Sequence, residues 1–127
     1  MRDIVNVVAR VLMAQIFVLA GLGKLQHYHA VQQYMHVHGV SKQLLPLVIV
    51  LELGGGLALV LGFLTRWMAL ALGAYCLLTA YLFHLHPGEQ AQLINFMKNV
   101  TMTGGFLLLT MAGGGRLSVD RVLGWKL

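Results

Sequence analysis

The chain has 127 residues, of which 58% are hydrophobic and only 10% charged, well under the roughly 25% charged residues of an average soluble domain. Its net charge of +5 is not gathered into a basic patch with interleaved aromatics, which excludes a nucleic-acid-binding module. Its single cysteine, Cys76, excludes a self-contained thiol oxidoreductase, which needs at least a C-x-x-C pair.

The length suits one domain over 1–127. The apolar residues fall into blocks at 4–22, 44–64, 67–85 and 93–112, each close to the roughly 20 residues a helix needs to cross a bilayer. A soluble bundle would carry polar stripes at helical spacing, whereas these blocks are apolar nearly all round. The expected fold is all-α: an integral membrane bundle of four transmembrane helices. The first block holds Arg10 and Gln15 and continues into GLGKLQHYH. No small-x-small cleavage site follows, so it reads as a retained span and not as a signal peptide.

After the first span comes QHYHAVQQYMHVHGV, in which Tyr28, Val31, Tyr34 and Met35 recur at helical spacing. This predicts a short amphipathic helix ending at Gly39 and lying on the outer membrane surface, its tyrosines at headgroup level. The second span has Pro46 in its first turn, where the missing N–H costs nothing. It carries a lone acid, Glu52, followed by Gly54–Gly56. These glycines and Gly104–Gly105 of the fourth span read as close contacts between those two helices or between subunits, because glycine lets membrane helices approach. Cys76 in the third span reads as a small buried apolar side chain. Pro87 and Gly88 turn the chain into the fourth span. Gly113, Gly114 and Gly115 end that span, and Ser118 is placed to cap a following turn.

Arg2, Arg66, Arg116, Arg121 and Lys126 flank the membrane on one side, Lys24 and Lys42 on the other. The richer side is expected to be cytoplasmic, which places both termini inside and loops 25–43 and 86–92 outside.

At 1.5 Å per residue, Glu52 lies about 12 Å and Lys98 about 7–8 Å below the outer end of their spans. Lys24 closes the outer end of the first span, and Asn95 and Asn99 flank Lys98. A charge at the bilayer centre costs at least about 2.5–3.5 kcal/mol, so the economical arrangement turns these groups inward. Glu52 is expected to pair with Lys98 or Lys24. The pair either lines a polar cavity reached from outside or simply fixes helix register. Arg10, in the inner half of the first span, either snorkels to the headgroups or faces inward towards Gln15, Thr103 or Thr110.

His27, His29, His36, His38, His84 and His86 all fall on the expected outer side, as HYH, HVH and HLH. Imidazole is the commonest metal ligand, which makes them weak candidates for a metal or haem site. On a helix, however, residues two apart point to nearly opposite faces. His27 and His38 would share the face of Val31 and Tyr34; His29 and His36 would share that of Gln32 and Gln33.

The run RVLMAQIFVLAGLGKL, a loop ending HGV, LPLVIVLELGGGLALVLGFLTRWMALAL, INFMKNVTMTGGFLLL and GGGRLSVD together resemble the DoxX family of small bacterial membrane proteins. The motif positions are Arg10, Gly21, Lys24, Glu52, Gly55, Gly62, Arg66, Asn95, Lys98, Gly104, Gly105, Ser118 and Asp120; Ser41 departs from the pattern, where the family often has proline. The resemblance implies four transmembrane helices in the bacterial inner membrane. It also implies kinship with a membrane subunit of thiosulfate:quinone oxidoreductase and with a partner of membrane-bound redox and sulfur-detoxification complexes.

Three functions compete at this stage. The first is a membrane subunit or partner of a quinone-linked or sulfur/redox oxidoreductase. In it Lys98, Lys24 and Asn95 would bond a ligand oxygen and Glu52 would relay a proton. No redox centre is encoded, so electrons would come from a soluble or membrane partner. The second is a non-catalytic scaffold or assembly factor whose glycines mediate helix contacts, within one chain or in a homo-oligomer. The third is a small multidrug-type transporter, disfavoured because its membrane acid belongs in the first helix and an acid paired with lysine is poorly placed for a cationic drug.

Overall fold

A computed structural model of the protein describes residues 1–86 and 88–126; Pro87, in the expected Pro87-Gly88 turn, lies outside them. The described chain is helical, with no strand. We label the helices α1 (Arg2–Gln26), α2 (Tyr28–Val37), α3 (Lys42–Leu61), α4 (Thr65–His84), α5 (Gln90–Ala112) and the single turn α6 (Val119–Val122). By length and composition α1, α3 and α4 are apolar enough to cross a membrane. The helix at the fourth predicted span, α5, is long enough at 23 residues, but Gln90, Gln92, Asn95, Lys98 and Asn99 make its first half more polar.

The bundle is built inside out relative to a soluble protein. Arg10, Glu52 and Asp120 are 1%, 4% and 2% exposed, while Leu19, Val50, Leu108 and Met111 on the helix exteriors are 67%, 67%, 71% and 76% exposed. Aliphatic side chains in water would lose about 25 cal/mol per Å²; facing lipid they lose nothing, and the charges are the groups that must turn inward. The interior comprises Ala14 and Phe17 of α1, Leu59 of α3, Ala69, Leu72 and Cys76 of α4, and Phe106 and Leu109 of α5. Phe17 and Phe106 meet with ring centroids 5.5 Å apart.

The glycine clusters do not join α3 to α5. A Cβ at Gly56 would lie 3.2 Å from the backbone N of Val18 and 3.3 Å from the Ala14 carbonyl, and one at Gly105 would lie 2.9 Å from the Met13 methyl. Both clusters therefore receive α1. Gly54 and Gly104 face open space.

Helix α3 ends earlier than the apolar block suggests. Gly62 adopts φ +72°, Phe63 N donates to Ala58 O (2.8 Å) and Gly62 N to Leu59 O (3.1 Å). This is the Schellman pattern, which only a left-handed residue allows. Both termini lie at this end of the bundle, since Asn6 Nδ2 donates to Gly113 O (2.9 Å) and Arg116 N to Asp3 Oδ1 (3.2 Å).

Helix α2 lies across the opposite end. Met35, 5% exposed, packs with Leu45 and Ile49 of α3, and Phe83 of α4 closes that cluster. Tyr34 stacks on Phe83 at 5.5 Å and 23°. The faces of α2 follow from its spacing: His29 and His36 flank Gln32 and Gln33 along one side, while Tyr34 and His38 meet on another at 4.3 Å.

Candidate functional site

Two polar centres occupy opposite ends of the bundle. At the α2 end, Glu52 sits within a single widened turn, Val50–Gly54, where α3 passes from α-helical to π-helical bonding. Such turns insert an extra residue, re-aim the side chains around it and recur at functional sites. Around Glu52 three helices converge. Tyr75 of α4 donates its hydroxyl to Glu52 Oε1 at 2.6 Å. Lys24 of α1 donates to the same oxygen at 3.1 Å, with its ammonium 2.9 Å from Oε2. That second contact is an ion pair without alignment: buried Oε2 receives no hydrogen bond. Glu52 thus has one oxygen that accepts twice and one that accepts none, although a carboxylate offers about four lone-pair sites.

Glu52 is among the residues lining a cavity of about 320 Å³, within the usual range of small-molecule sites, roughly 300–1,000 Å³. Its walls are apolar: Ile16, Phe17 and Ala20 of α1, Val48 of α3, Leu78 and Leu82 of α4, and Met102 of α5. Val31, Tyr34 and Met35 of α2 also line it, and Lys24, Glu52, Tyr75, Thr79, His84 and Asn99 are its polar lining residues.

Of the two amines offered to Glu52 by the sequence, Lys24 makes the pair. Lys98 lies on the exposed side of α5, off the cavity wall. The reason is angular. Thr103, which faces α4 through a bond to Gly73 O (3.1 Å), is five residues from Lys98, or about 140° around a helix of 3.6 residues per turn. Asn99, four residues from Thr103, shares its side and reaches the cavity. Asn95 is half-buried and serves through its carbonyl, which accepts from Asn99 Nδ2 (3.0 Å). Tyr75 and the widened turn were not singled out in the sequence. A tyrosine inside an apolar run was the available signal, because a buried hydroxyl needs a partner.

At the other end, Arg10 neither snorkels nor meets Gln15, Thr103 or Thr110. It faces inward and closes the C-terminus of α3. Nη1 donates to Leu59 O (3.1 Å) and Val60 O (3.0 Å), Nη2 to Leu117 O, and Nε to Asn6 Oδ1 (2.9 Å). The last carbonyls of a helix lack intrahelical partners and carry the negative end of its dipole, so a guanidinium suits them. Asp120 does the converse for α4. It accepts from Leu64 N (2.6 Å), from Thr65 N (2.9 Å) and from the Thr65 hydroxyl (2.7 Å). Leu64 is held at φ +46°, in the left-handed region that costs a non-glycine residue roughly 1 kcal/mol or more. Ser118 caps α6 by accepting from Arg121 N (3.3 Å). This centre is built from satisfied backbone caps.

The histidines stay dispersed. His27 Nδ1 bonds Gly23 O (3.2 Å), His38 Nδ1 bonds Tyr34 O (2.8 Å) and His84 Nδ1 bonds Gln92 Oε1 (2.7 Å). The rings of His38 and His86 lie 6.2 Å apart. Among the described residues no three of His, Cys, Asp and Glu converge as metal ligands would.

The chain is 50% identical over 126 residues to inner membrane protein YqjF of Escherichia coli K12, covering 99% of this chain and 97% of that protein. It is 35% identical over 127 residues to inner membrane protein YphA of the same organism, covering 94% and 91%. No solved structure matches the chain. The sequence model of the DoxX family matches residues 5–85, the stretch that carries Arg10, Lys24, Glu52 and Tyr75, and the chain is a member of the DoxX family.

Proposed function

We propose that this DoxX-family protein spans the inner membrane four times, with both termini cytoplasmic, and that its outer-half cavity holds the head of a quinone-class amphiphile serving an oxidoreductase partner. Helix α5 is the fourth span and α2 the interfacial helix. The termini share one end of the bundle, as an even number of crossings requires, and Arg66, Arg116, Arg121 and Lys126 gather there, as the positive-inside rule favours. The observation that carries the ligand reading is the cavity beside Glu52: an apolar chamber of about 320 Å³ lined in part by a buried carboxylate that Lys24 and Tyr75 hold in place. A ring-headed amphiphile fits that chemistry, its body against Phe17, Val48 and Leu78 and its oxygens at Glu52, Lys24 and Tyr75. The chain itself binds and orients the head; electrons come from the partner.

A second reading is favoured by one observation: Lys24, Glu52 and Tyr75 tie three helices together, as a scaffold's register pin would. Filling the cavity separates the two. Ala20→Phe puts an aromatic ring into the chamber and leaves the Lys24–Glu52–Tyr75 contacts in place. The ligand reading expects a folded protein that no longer takes up a short-tail quinone or quinol in detergent solution. Unchanged uptake would leave the scaffold reading.

A further inference from the structure

We propose that the segment after α5 is a fixed platform for anionic phospholipid headgroups, seated on the membrane surface at the end of the bundle where both termini lie. The proposal rests on neither the cavity nor its ligand. It follows from what this segment buries and what it turns out. Its polar side chains Ser118 and Asp120 are buried against the bundle. Its backbone is tied down: Asp120 N donates to Gly62 O at 2.9 Å, Trp125 N to Asp120 O at 2.8 Å, and Arg10 Nη2 to Leu117 O. The apolar side chains are the ones left outside. Leu117 and Leu123 are exposed, and Val122 is 85% exposed. Trp125 rests against Phe63, with ring centroids 5.8 Å apart, and is still exposed.

Two further observations say what covers this surface. The first is charge. Arg66, Arg116, Arg121 and Lys126 are exposed at this end. The acids there, Asp3 and Asp120, are taken up by backbone N–H groups, of Arg116 and of Leu64 and Thr65. The charge left facing outward is cationic, and phosphate oxygens are its natural acceptors. The second is the placing of the indoles. Both tryptophans of the chain, Trp67 and Trp125, are exposed here, and an indole is most favourably placed where hydrocarbon meets headgroups. Apolar side chains entering the acyl boundary beside basic ones at the phosphates match that layer. An acidic soluble protein would meet the charges but would leave the apolar side chains without lipid.

Because Trp67 and Trp125 are the only tryptophans, intrinsic tryptophan fluorescence reads this end alone. The full chain is reconstituted in phosphatidylcholine vesicles doped with brominated phosphatidylglycerol or, at equal mole fraction, brominated phosphatidylcholine. Half-maximal quenching is expected at a mole fraction of the anionic lipid at least about fivefold lower, the effect of one basic residue at an anionic surface. The preference should weaken as salt rises from about 0.1 to 1 M, since exposed charges are screened. The triple variant Arg116→Gln/Arg121→Gln/Lys126→Gln changes exposed side chains and keeps the backbone bonds, so it should fold and be quenched nearly alike by the two lipids. In Trp67→Phe, the remaining Trp125 should be quenched by the brominated lipids and shielded from aqueous acrylamide. Equal quenching of the wild type by the two lipids, or a preference left whole in the triple variant, would overturn the selection of anionic headgroups. Quenching of Trp125 by acrylamide and not by brominated lipid would overturn the seating on the membrane and leave the surface to an acidic soluble protein.

Discussion

Lys24 Nζ lies 2.9 Å from Glu52 Oε2, and through this contact the end of α1 is locked to the middle of α3. The partner of a buried charge cannot be removed cheaply, because the remaining charge keeps its desolvation cost without its compensation. Lys24→Met and Glu52→Gln should therefore each destabilise the bundle more than the two together would suggest. A double-mutant cycle, read by denaturant unfolding in detergent, should give a coupling of about 1–3 kcal/mol. Additivity within about 0.5 kcal/mol would mean that the pair is electrostatically idle.

Arg10 should be irreplaceable by lysine. The guanidinium serves Leu59 O, Val60 O, Leu117 O and Asn6 Oδ1 at once, a fork that a point ammonium cannot reproduce. Arg10→Lys is expected to cost about 2–3 kcal/mol, since bonds to charged groups are worth roughly 1.5–3 kcal/mol each and some survive. The tail should loosen with it. Hydrogen exchange at the Asp120 amide, which donates to Gly62 O at 2.9 Å, should accelerate. Unchanged protection there would show that the tail docks without Arg10.

Glycine substitutions should divide sharply by position. A Cβ at Gly62 would lie 2.5 Å from Arg10 Nη1 and 2.5 Å from Ser118 Cβ, on a backbone at φ +72°. Gly62→Ala is therefore strained twice over and should cost more than about 2 kcal/mol. Gly104, helical and facing open space, should accept alanine with no loss, or gain up to about 1 kcal/mol from helix propensity. Thermal melts of the two variants check this; equal melting points would refute it.

Topology is testable with single cysteines in a Cys76→Ala background. Ser41 and Arg116 are both exposed and sit at opposite ends of the bundle. In intact spheroplasts a membrane-impermeant maleimide should label Ser41→Cys and spare Arg116→Cys. Labelling of both from outside would contradict cytoplasmic termini.

The all-helical fold was legible because its signal is compositional: runs such as LVIVLELGGGLALVL cannot be soluble stripes. Helix α2 was legible from the spacing of Tyr28, Val31, Tyr34 and Met35. The acid's need for a partner was legible from cost alone, since Glu52 in an apolar run must find one. Which amine it takes was not, because depth along a helix does not give the angle around it; Asn99 reaches the cavity and adjacent Lys98 does not. Arg10 was harder still. Its partners are backbone carbonyls freed by the turn at Gly62, and a sequence shows side chains, not unpaired carbonyls. The span limits at 64 and 67 missed that turn for the same reason: Leu64 and Thr65 are fixed by Asp120, which is 55 residues beyond Thr65.

The central claim is that Glu52 and Lys24 form the polar end of a ligand site and not only a brace between helices. The most direct measurement is the dissociation constant of a short-tail benzoquinol for wild type and for the double variant Lys24→Met/Glu52→Gln, each first shown to be folded by its helical circular dichroism and its melt. Neutralising both partners together avoids stranding a charge, so folding is expected to survive. The account predicts binding at least tenfold weaker in the double variant, a loss of about 1.4 kcal/mol. Equal affinity in the two proteins would contradict it.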